Sequence, residues 1–377
     1  MIGSFEIEIR NTFTPSVERM GMVFVQTLGI TYHVSRITYH ALRIMNILGI
    51  ETSCDDTAAA VVADGRIILS NVISSQNEFH AKYGGVVPEI ASRKHVELIL
   101  YVIQDALDSA DVTFQDIDAL AVTNRPGLVG SLLVGLSAAK SIAYCYQKPL
   151  IGVNHILGHI YANFFDHPDL ALPHISLTVS GGHTLIMYVT SPTHYQILGH
   201  TVDDAVGEAY DKIAKFLGLG FPGGPIIDRI AKQGHPDAIS FPSPLLHSND
   251  LNFSFSGLKT AVIRYVTDQQ NAGQEVNPAD VVAGFQQAAI KVLVKKVLRA
   301  AAEKHVVAVT LSGGVAANST LRETLITEAQ QHGLSVYYPR PVLCTDNGAM
   351  IAGVAYHLFQ EGVRDGLDLG AYASIPF

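Results

Sequence analysis

Apolar positions in this chain come in short runs and two-residue alternations, broken by polar or glycine-rich turns, and the same order of patterns appears twice. Asn46-Ile-Leu-Gly-Ile50 reads as a strand, Glu51–Thr57 as a polar turn, and Ala58–Ala63 as a second strand. Asp64-Gly65 then predicts a hairpin turn into Arg66–Asn71. Farther on, His174–Val179, a turn at Ser180–Thr184, Leu185–Val189, a turn at Thr190–Pro192 and a strand near Gln196–Gly199 repeat that meander. Each copy is followed by a strand that breaks at a turn and enters a helix. In the first it is Ala119–Thr123, Arg125-Pro-Gly127 and a helix from Val129; in the second it is Val306–Leu311, Ser312-Gly-Gly314 and a helix near Asn318. Longer helical periods are predicted at Ser92–Ala110, Asp204–Leu217, Ala279–His305, Ser319–His332 and Asn347–Glu361. The Gly-, Pro-, Ser- and Asn-rich stretch Gly220–Lys259 reads as an ordered, function-bearing loop region. The expected architecture is a duplicated α/β domain with a cleft between the copies, residues 45–150 and 151–377. A single mixed sheet without duplication is the alternative.

Composition narrows this picture. Charge is 25 minus 34, or −9, so nothing in bulk electrostatics favours nucleic acid. RNA contact would need local patches, for which Arg93-Lys94, Lys212 with Lys215, and Lys291, Lys295, Lys296 and Arg299 are the candidates. Three cysteines, Cys54, Cys145 and Cys344, without a CxxC pair argue for a reducing compartment and against a disulfide framework. No uninterrupted apolar stretch reaches membrane-spanning length; the closest, Leu128–Ala139, reads as a buried helix against a sheet. Residues 1–44 lack the later patterning and read as an amino-terminal extension of no catalytic role, with Met45 a sufficient start.

The chemistry concentrates in a few segments. His155-Ile-Leu-Gly-His159 puts two imidazoles on one helix face, where both can ligate one metal ion. The second position is Ile156, so the glutamate base of the HExxH metallopeptidases is missing. Asp346, at a strand-to-helix junction, is the best third ligand, with a plain helix cap as the competing reading. Ser180-Gly-Gly182 and Ser312-Gly-Gly314 are turns that let backbone amides approach a phosphate. Asp55 and Asp56 stand in the matching turn of the first half, suited to a metal or phosphate. Asp211 could take ribose hydroxyls or pair with Lys215, and Gly223-Gly224 with Asp228 complete the set.

Taken in order, Ile50-Glu-Thr-Ser-Cys-Asp55, Tyr83-Gly-Gly-Val-Val-Pro-Glu89, Ala91-Ser-Arg93, Pro126-Gly-Leu128, Val179-Ser-Gly-Gly-His-Thr184, Gly207-Glu-Ala, Phe253-Ser-Phe-Ser-Gly-Leu-Lys259, Ser312-Gly-Gly-Val and Cys344-Thr-Asp-Asn-Gly-Ala-Met350 resemble the TsaD (Gcp, YgjD) family. The resemblance spans Met45 to Ile375. It implies duplicated actin/Hsp70-like (ribonuclease-H-like) domains and a cytoplasmic enzyme. That enzyme would move a threonylcarbamoyl group from threonylcarbamoyl-AMP to N6 of adenosine 37 in tRNAs reading codons that begin with adenine. It further implies one divalent metal per subunit on His155, His159 and Asp346, iron favoured and zinc the alternative. Thr178, Val179, Ser180, Gly181, Gly182, Asp211, Gly224, Asp228 and Asn318 would contact substrate. Implied partners are tRNA, a paralogous TsaB-type subunit and a small TsaE-type ATPase, with no membrane. No residue stands out as general base, and Asp55 is a candidate helper. Three positions depart from the family pattern: Leu157 where Glu is common, Asp56 in place of Glu, and Thr178 in place of an apolar residue. Competing readings are an ATP-driven switch or kinase of the same fold, which needs no metal triad, and a metallopeptidase.

Overall fold

A computed structural model describes residues 44–374. The reading of residues 1–44 as an extension therefore lies, Ile44 apart, outside the described residues. Strands β1 (Asn46–Glu51), β2 (Asp56–Ala63), β3 (Ile67–Ser75), β4 (Ala119–Arg125) and β5 (Leu150–Asn154) form one sheet in the order β3-β2-β1-β4-β5. Strands β6 (His174–Val179), β7 (Thr184–Ser191), β8 (His194–His200), β9 (Ala308–Ser312) and β10 (Ser335–Tyr337) form a second, in the order β8-β7-β6-β9-β10. The two orders are the same: an antiparallel meander of three, then two parallel strands. This is the expected duplication. The predicted hairpin turn is present, with Asp64 at φ 49° and Gly65 at φ 70°, the left-handed pair that matches strand twist.

The helices are α1 (Asn77–Ala81), α2 (Pro88–Ser109), α3 (Val129–Tyr146), α4 (His155–Asp166), α5 (Val206–Phe216), α6 (Gly223–Ala231), α7 (Ser256–Asn271), α8 (Pro278–Lys304), α9 (Ser319–Gln331), α10 (Pro341–Cys344) and α11 (Gly348–Gln360). They divide the apolar residues into three buried cores. One lies between the first sheet and α2 and α3, through Leu48, Ile50, Val61, Ile103, Leu107, Val122 and Leu136. A second joins α5 to α9 to the outer face of the second sheet, around Val179, Tyr210, Phe253, Phe285 and Leu311. The third is the layer between the sheets. There α4 and α11 present Ile156, Ile160, Met350, Ile351 and Val354 to Ile47 and Val62 of one sheet and to Leu185, Met187 and Val189 of the other. Alternating strand residues thus face different cores, as the pleat requires.

Three details differ from the sequence reading. Gly220–Lys259 is not all loop. It contains α6, whose Pro225 falls in the first turn, where helix amides have no intrahelical partner and a proline removes nothing. The unpredicted α7 is started from a distance: Asp203 Oδ1 accepts from the Phe255 and Ser256 amides at 2.8 and 3.2 Å. And α2 begins at Pro88 rather than Ser92, because proline is well placed at the first helical position. Helix α3 is long and apolar enough to cross a membrane, but Leu132, Leu136 and Ala139 are buried against the first sheet. The sheet boundary also falls after Asn154, since β5 pairs with β4, and α11 returns from the chain's end to pack on β1 and β2.

Candidate metal and substrate site

Asn154 starts α4 by accepting from the Ile156 amide at 2.9 Å. The helix that follows runs between the two sheets, so its histidine pair faces inward: His155 is 5% exposed and His159 fully buried. Asp346 comes from the other end of the chain. The cap of α11 is Asn347, whose side chain accepts from the Met350 amide at 3.0 Å, so Asp346 is free of the capping role the sequence also allowed. Close packing fixes its approach. A Cβ on Gly49 would lie 2.3 Å from the Gly348 carbonyl oxygen, and one on Gly348 2.5 Å from the Ala60 amide, so only glycines let α11 rest on the strand backbone.

The result brings one ligating atom from each of His155, His159 and Asp346 within 4.8 Å of one another. Asp346 Oδ1 is 3.2 Å from His159 Nε2 and 3.6 Å from His155 Nε2, and the two imidazoles meet edge-on at 4.5 Å between centroids. Neither ring nitrogen of His159 has a hydrogen-bond partner, although the ring is wholly buried. An orphaned buried acceptor beside a second imidazole and a carboxylate suits a bound divalent metal, and three protein ligands leave positions open for substrate. Electrostatics agree. Burial pushes the Asp346 carboxyl up, but His155 and His159 outweigh it and hold it well below the carboxylate range. Burial works against protonated His155 too, yet Asp346 and Glu51 raise it to about 9. Burial, then the neighbouring His155 charge, lowers His159.

Opposite the triad stands the β6–β7 turn. Its Ser180 amide donates to the His183 carbonyl at 2.8 Å, and the His183 amide to Ser180 Oγ at 3.1 Å. Gly181 and Gly182 are exposed with open space where side chains would be, leaving their backbone approachable. Thr184 Oγ1 ties the turn to α5 by accepting from the Val206 amide at 2.9 Å. Gly313 sits at φ +83°, and a Cβ there would be 2.4 Å from the Val179 carbonyl oxygen, so the two glycine turns touch backbone to backbone. Thr178 is buried and shares a 2.7 Å hydrogen bond with Ser312.

The other sequence candidates cluster on the second half. Asp211 Oδ1 accepts from the Gly223 amide at 2.7 Å and so starts α6, while Lys215 goes instead to the Tyr83 carbonyl at 2.8 Å. Burial raises the Asp211 carboxyl to about 6. Asp228 accepts from Ser319 Oγ at 2.8 Å and Thr320 Oγ1 at 3.2 Å. Asn318 caps α9 through the Leu321 amide and donates to Gln286 at 2.8 Å. Gly224 has nothing within 4 Å of a built Cβ. In the first half, Asp55 and Asp56 lie outside the triad. Burial, then Asp346, pushes Asp56 up to about 8, and burial raises Asp55.

Two residues escaped the sequence reading. His183 lies 6.4 Å, centroid to centroid, from His155, and burial, then His155 and His159, lower it to about 4, so it is a neutral imidazole facing the triad. Glu51 is fully buried with Oε2 3.1 Å from His155 Nδ1. Both were inside quoted motifs, but no spacing in the chain links position 51 or 183 to 155. Of the basic patches, Lys94 pairs with Glu97, Lys212 with Asp204 and Glu208, and buried Lys296 holds the Ser248–Asn252 loop.

Two matched sheets around a helical layer, with a candidate metal-ligand cluster set against glycine turns, give an actin/Hsp70-like α/β fold. Solved structures share that fold. HypF in its phosphate- and nucleotide-bound form superposes with a TM-score of 0.57 over 84% of this chain and 47% of its own, at 15% identity. Component A of the (R)-2-hydroxyglutaryl-CoA dehydratase of Acidaminococcus fermentans gives 0.52 over 84% and 98%, also at 15%. At the sequence level, residues 67–353 match the TsaD family model, described as tRNA N6-adenosine threonylcarbamoyltransferase. Relatives of that name from Clostridium perfringens and Clostridium botulinum are 53% and 52% identical. The alignments cover 86% and 88% of this chain and 96% and 97% of theirs. The chain belongs to the TsaD family and is a transferase that modifies tRNA.

Proposed function

We propose that the chain moves the threonylcarbamoyl group of threonylcarbamoyl-AMP to N6 of adenosine 37 in tRNAs that read codons beginning with adenine. The N6 nitrogen bonds to the carbamoyl carbon, the bond from that carbon to the AMP phosphate oxygen breaks, and one N6 proton is released. The observation that carries the reading is the His155–His159–Asp346 cluster facing the Ser180–Thr184 turn in a chain of this family. One divalent metal, iron favoured over zinc, would be held by those three residues and would fix and polarise the threonylcarbamoyl group. The Ser180-Gly181-Gly182 backbone would line the nucleotide side, with Thr178 and Val179 leading into it from β6. Asp211, Gly224, Asp228 and Asn318 receive the ribose. Asp211 has spare capacity, since a carboxylate offers about four acceptor sites and, among the described residues, the Gly223 and Gly224 amides draw on it. The exocyclic amine is a weak nucleophile, so the rate rests on positioning and on a ready leaving group. Asp55 is the candidate helper.

The reading includes two working halves, about 45–150 and 151–377, a cytoplasmic location, and a TsaB-type subunit with a TsaE-type ATPase. Net charge of −9 supports sharing the tRNA with partners, and exposed Leu100 and Tyr101 on α2 with Leu133 and Tyr144 on α3 support a protein–protein contact. Mass spectrometry of nucleosides from tRNA incubated with threonylcarbamoyl-AMP, the chain and those partners tests it. Modified adenosine with wild type and none with His159→Ala is the expected result. No product from wild type with competent partners would overturn the reading and favour an ATP-driven switch.

A further inference from the structure

We infer that Glu51 is the positioning residue of the candidate metal centre: it holds His155 in the one tautomer that can ligate. This deepens the proposed metal site and rests on it. Glu51 ends β1, fully buried, and each of its contacts is to a donor. Oε1 accepts from the Ser53 amide at 2.5 Å, and Oε2 accepts from Thr123 Oγ1 at 2.5 Å and faces His155 Nδ1 at 3.1 Å. A carboxylate has no proton to give to that nitrogen, so Nδ1 carries the hydrogen and donates it. The opposite nitrogen, Nε2, faces Asp346, 3.6 Å away, on the side where His159 also points, and is the nitrogen left to bind a metal once its own proton is displaced. Ser53 Oγ, 3.1 Å from the same Nδ1, can join as a second acceptor. Ligating histidines are commonly oriented this way through their other nitrogen. Glu51 reaches His155 from the end of β1, 104 residues away in the chain.

The donor-only surroundings make glutamine the informative replacement. In Glu51→Gln, the amide NH2 must face either the Ser53 amide or the Thr123 and His155 side. The first sets two donors against each other; the second reverses the hydrogen on His155 and closes Nε2. Zinc alone is the probe, titrated into full-length protein against a chelator. Glu51→Gln is expected to bind zinc about 10–100-fold more weakly than wild type. The visible absorption of the cobalt(II) form, which reports the ligand set, is expected to change with it. Thr123→Val, which touches no ligand but removes one bond to Glu51, is expected to weaken zinc in the same direction by less, and stands in if Glu51→Gln does not fold. Equal zinc affinity in folded variants overturns the role of Glu51 alone. So does a lowered urea midpoint with unchanged cobalt bands, which would mark a merely structural carboxylate. Wild type that takes up no zinc overturns the metal reading and this one with it.

Discussion

Helices α4 and α11 hold equivalent places behind the two sheets, one after β5 of the first and one after β10 of the second, yet they supply different chemistry. Each is started by an asparagine side chain, Asn154 or Asn347, and both end up side by side between the sheets. In α4 the ligands lie on the first two turns, as His155 and His159; in α11 the ligand, Asp346, lies just before the cap. The packing is crossed as well. α11 belongs to the second half but rests on β1 and β2 of the first sheet, whereas α4 leans on β9 of the second. A duplicated fold can therefore build one asymmetric site where two matching helix starts converge, because each helix start is a fixed point of the backbone. The two ends also direct their partial positive charges toward the same region, which suits an anionic ligand.

If the helices contribute jointly, removing a ligand from either should be equally severe. His159→Ala and Asp346→Ala are each expected to abolish stoichiometric metal, read by elemental analysis, and to slow transfer by more than about a hundredfold, several kcal/mol of transition-state stabilisation. A variant of one helix that keeps metal and rate would break the symmetry of roles.

The next effect separates the packing of α11 from the open turn. Gly348→Ala forces a methyl against the Ala60 amide and should destabilise by about 1–3 kcal/mol in urea denaturation, with weaker metal binding as Asp346 moves. Gly181→Ala meets open space and should change stability by less than about 0.5 kcal/mol while slowing transfer. A slow but normally metallated Gly181→Ala would place the second-half turn on the nucleotide side. The caps fall between these two: Asn154→Ala and Asn347→Ala should each cost about 1 kcal/mol, and only the second should also loosen Asp346.

The last effect is a pH slope. Asp56 is raised from 3.8 to about 8, so between those values the folded chain keeps a proton that the unfolded chain loses. Stability from this group therefore falls as pH rises across that window. Asp56→Asn removes the slope, and its urea midpoint relative to wild type should improve between pH 5 and pH 8. A constant difference would show that Asp56 ionises normally in the cleft.

Much of this site could be read along the chain. His155 and His159 are legible because helical spacing is local; Asp346 was picked at an expected strand-to-helix junction, although the short helix α10, not a strand, leads into it. Glu51 and His183 were not, since nothing local ties them to position 155; the β1–β4–β5 register and the β6–β7 turn bring them there. Asp211, Asp228 and Asn318 show the reverse. Residue type suggested a ribose contact for Asp211, and the family resemblance substrate contacts for Asp228 and Asn318, while the fold also uses them to satisfy the first amides of α6 and α9.

The alternation of apolar residues and the repeated turn residues determined, without any tertiary information, two copies of one strand order and the helix that carries the histidines. Those features depend on backbone conformation and on which face each residue must bury, both set within a few positions. Only the packed molecule decided that α4 and α11 share one layer, that Asn347 rather than Asp346 caps, and that Glu51 stands behind His155. The first and the last depend on distances between segments a hundred or more residues apart. Such distances are set by glycine-sized gaps and by the need to pair every buried polar group, and no window of sequence contains them.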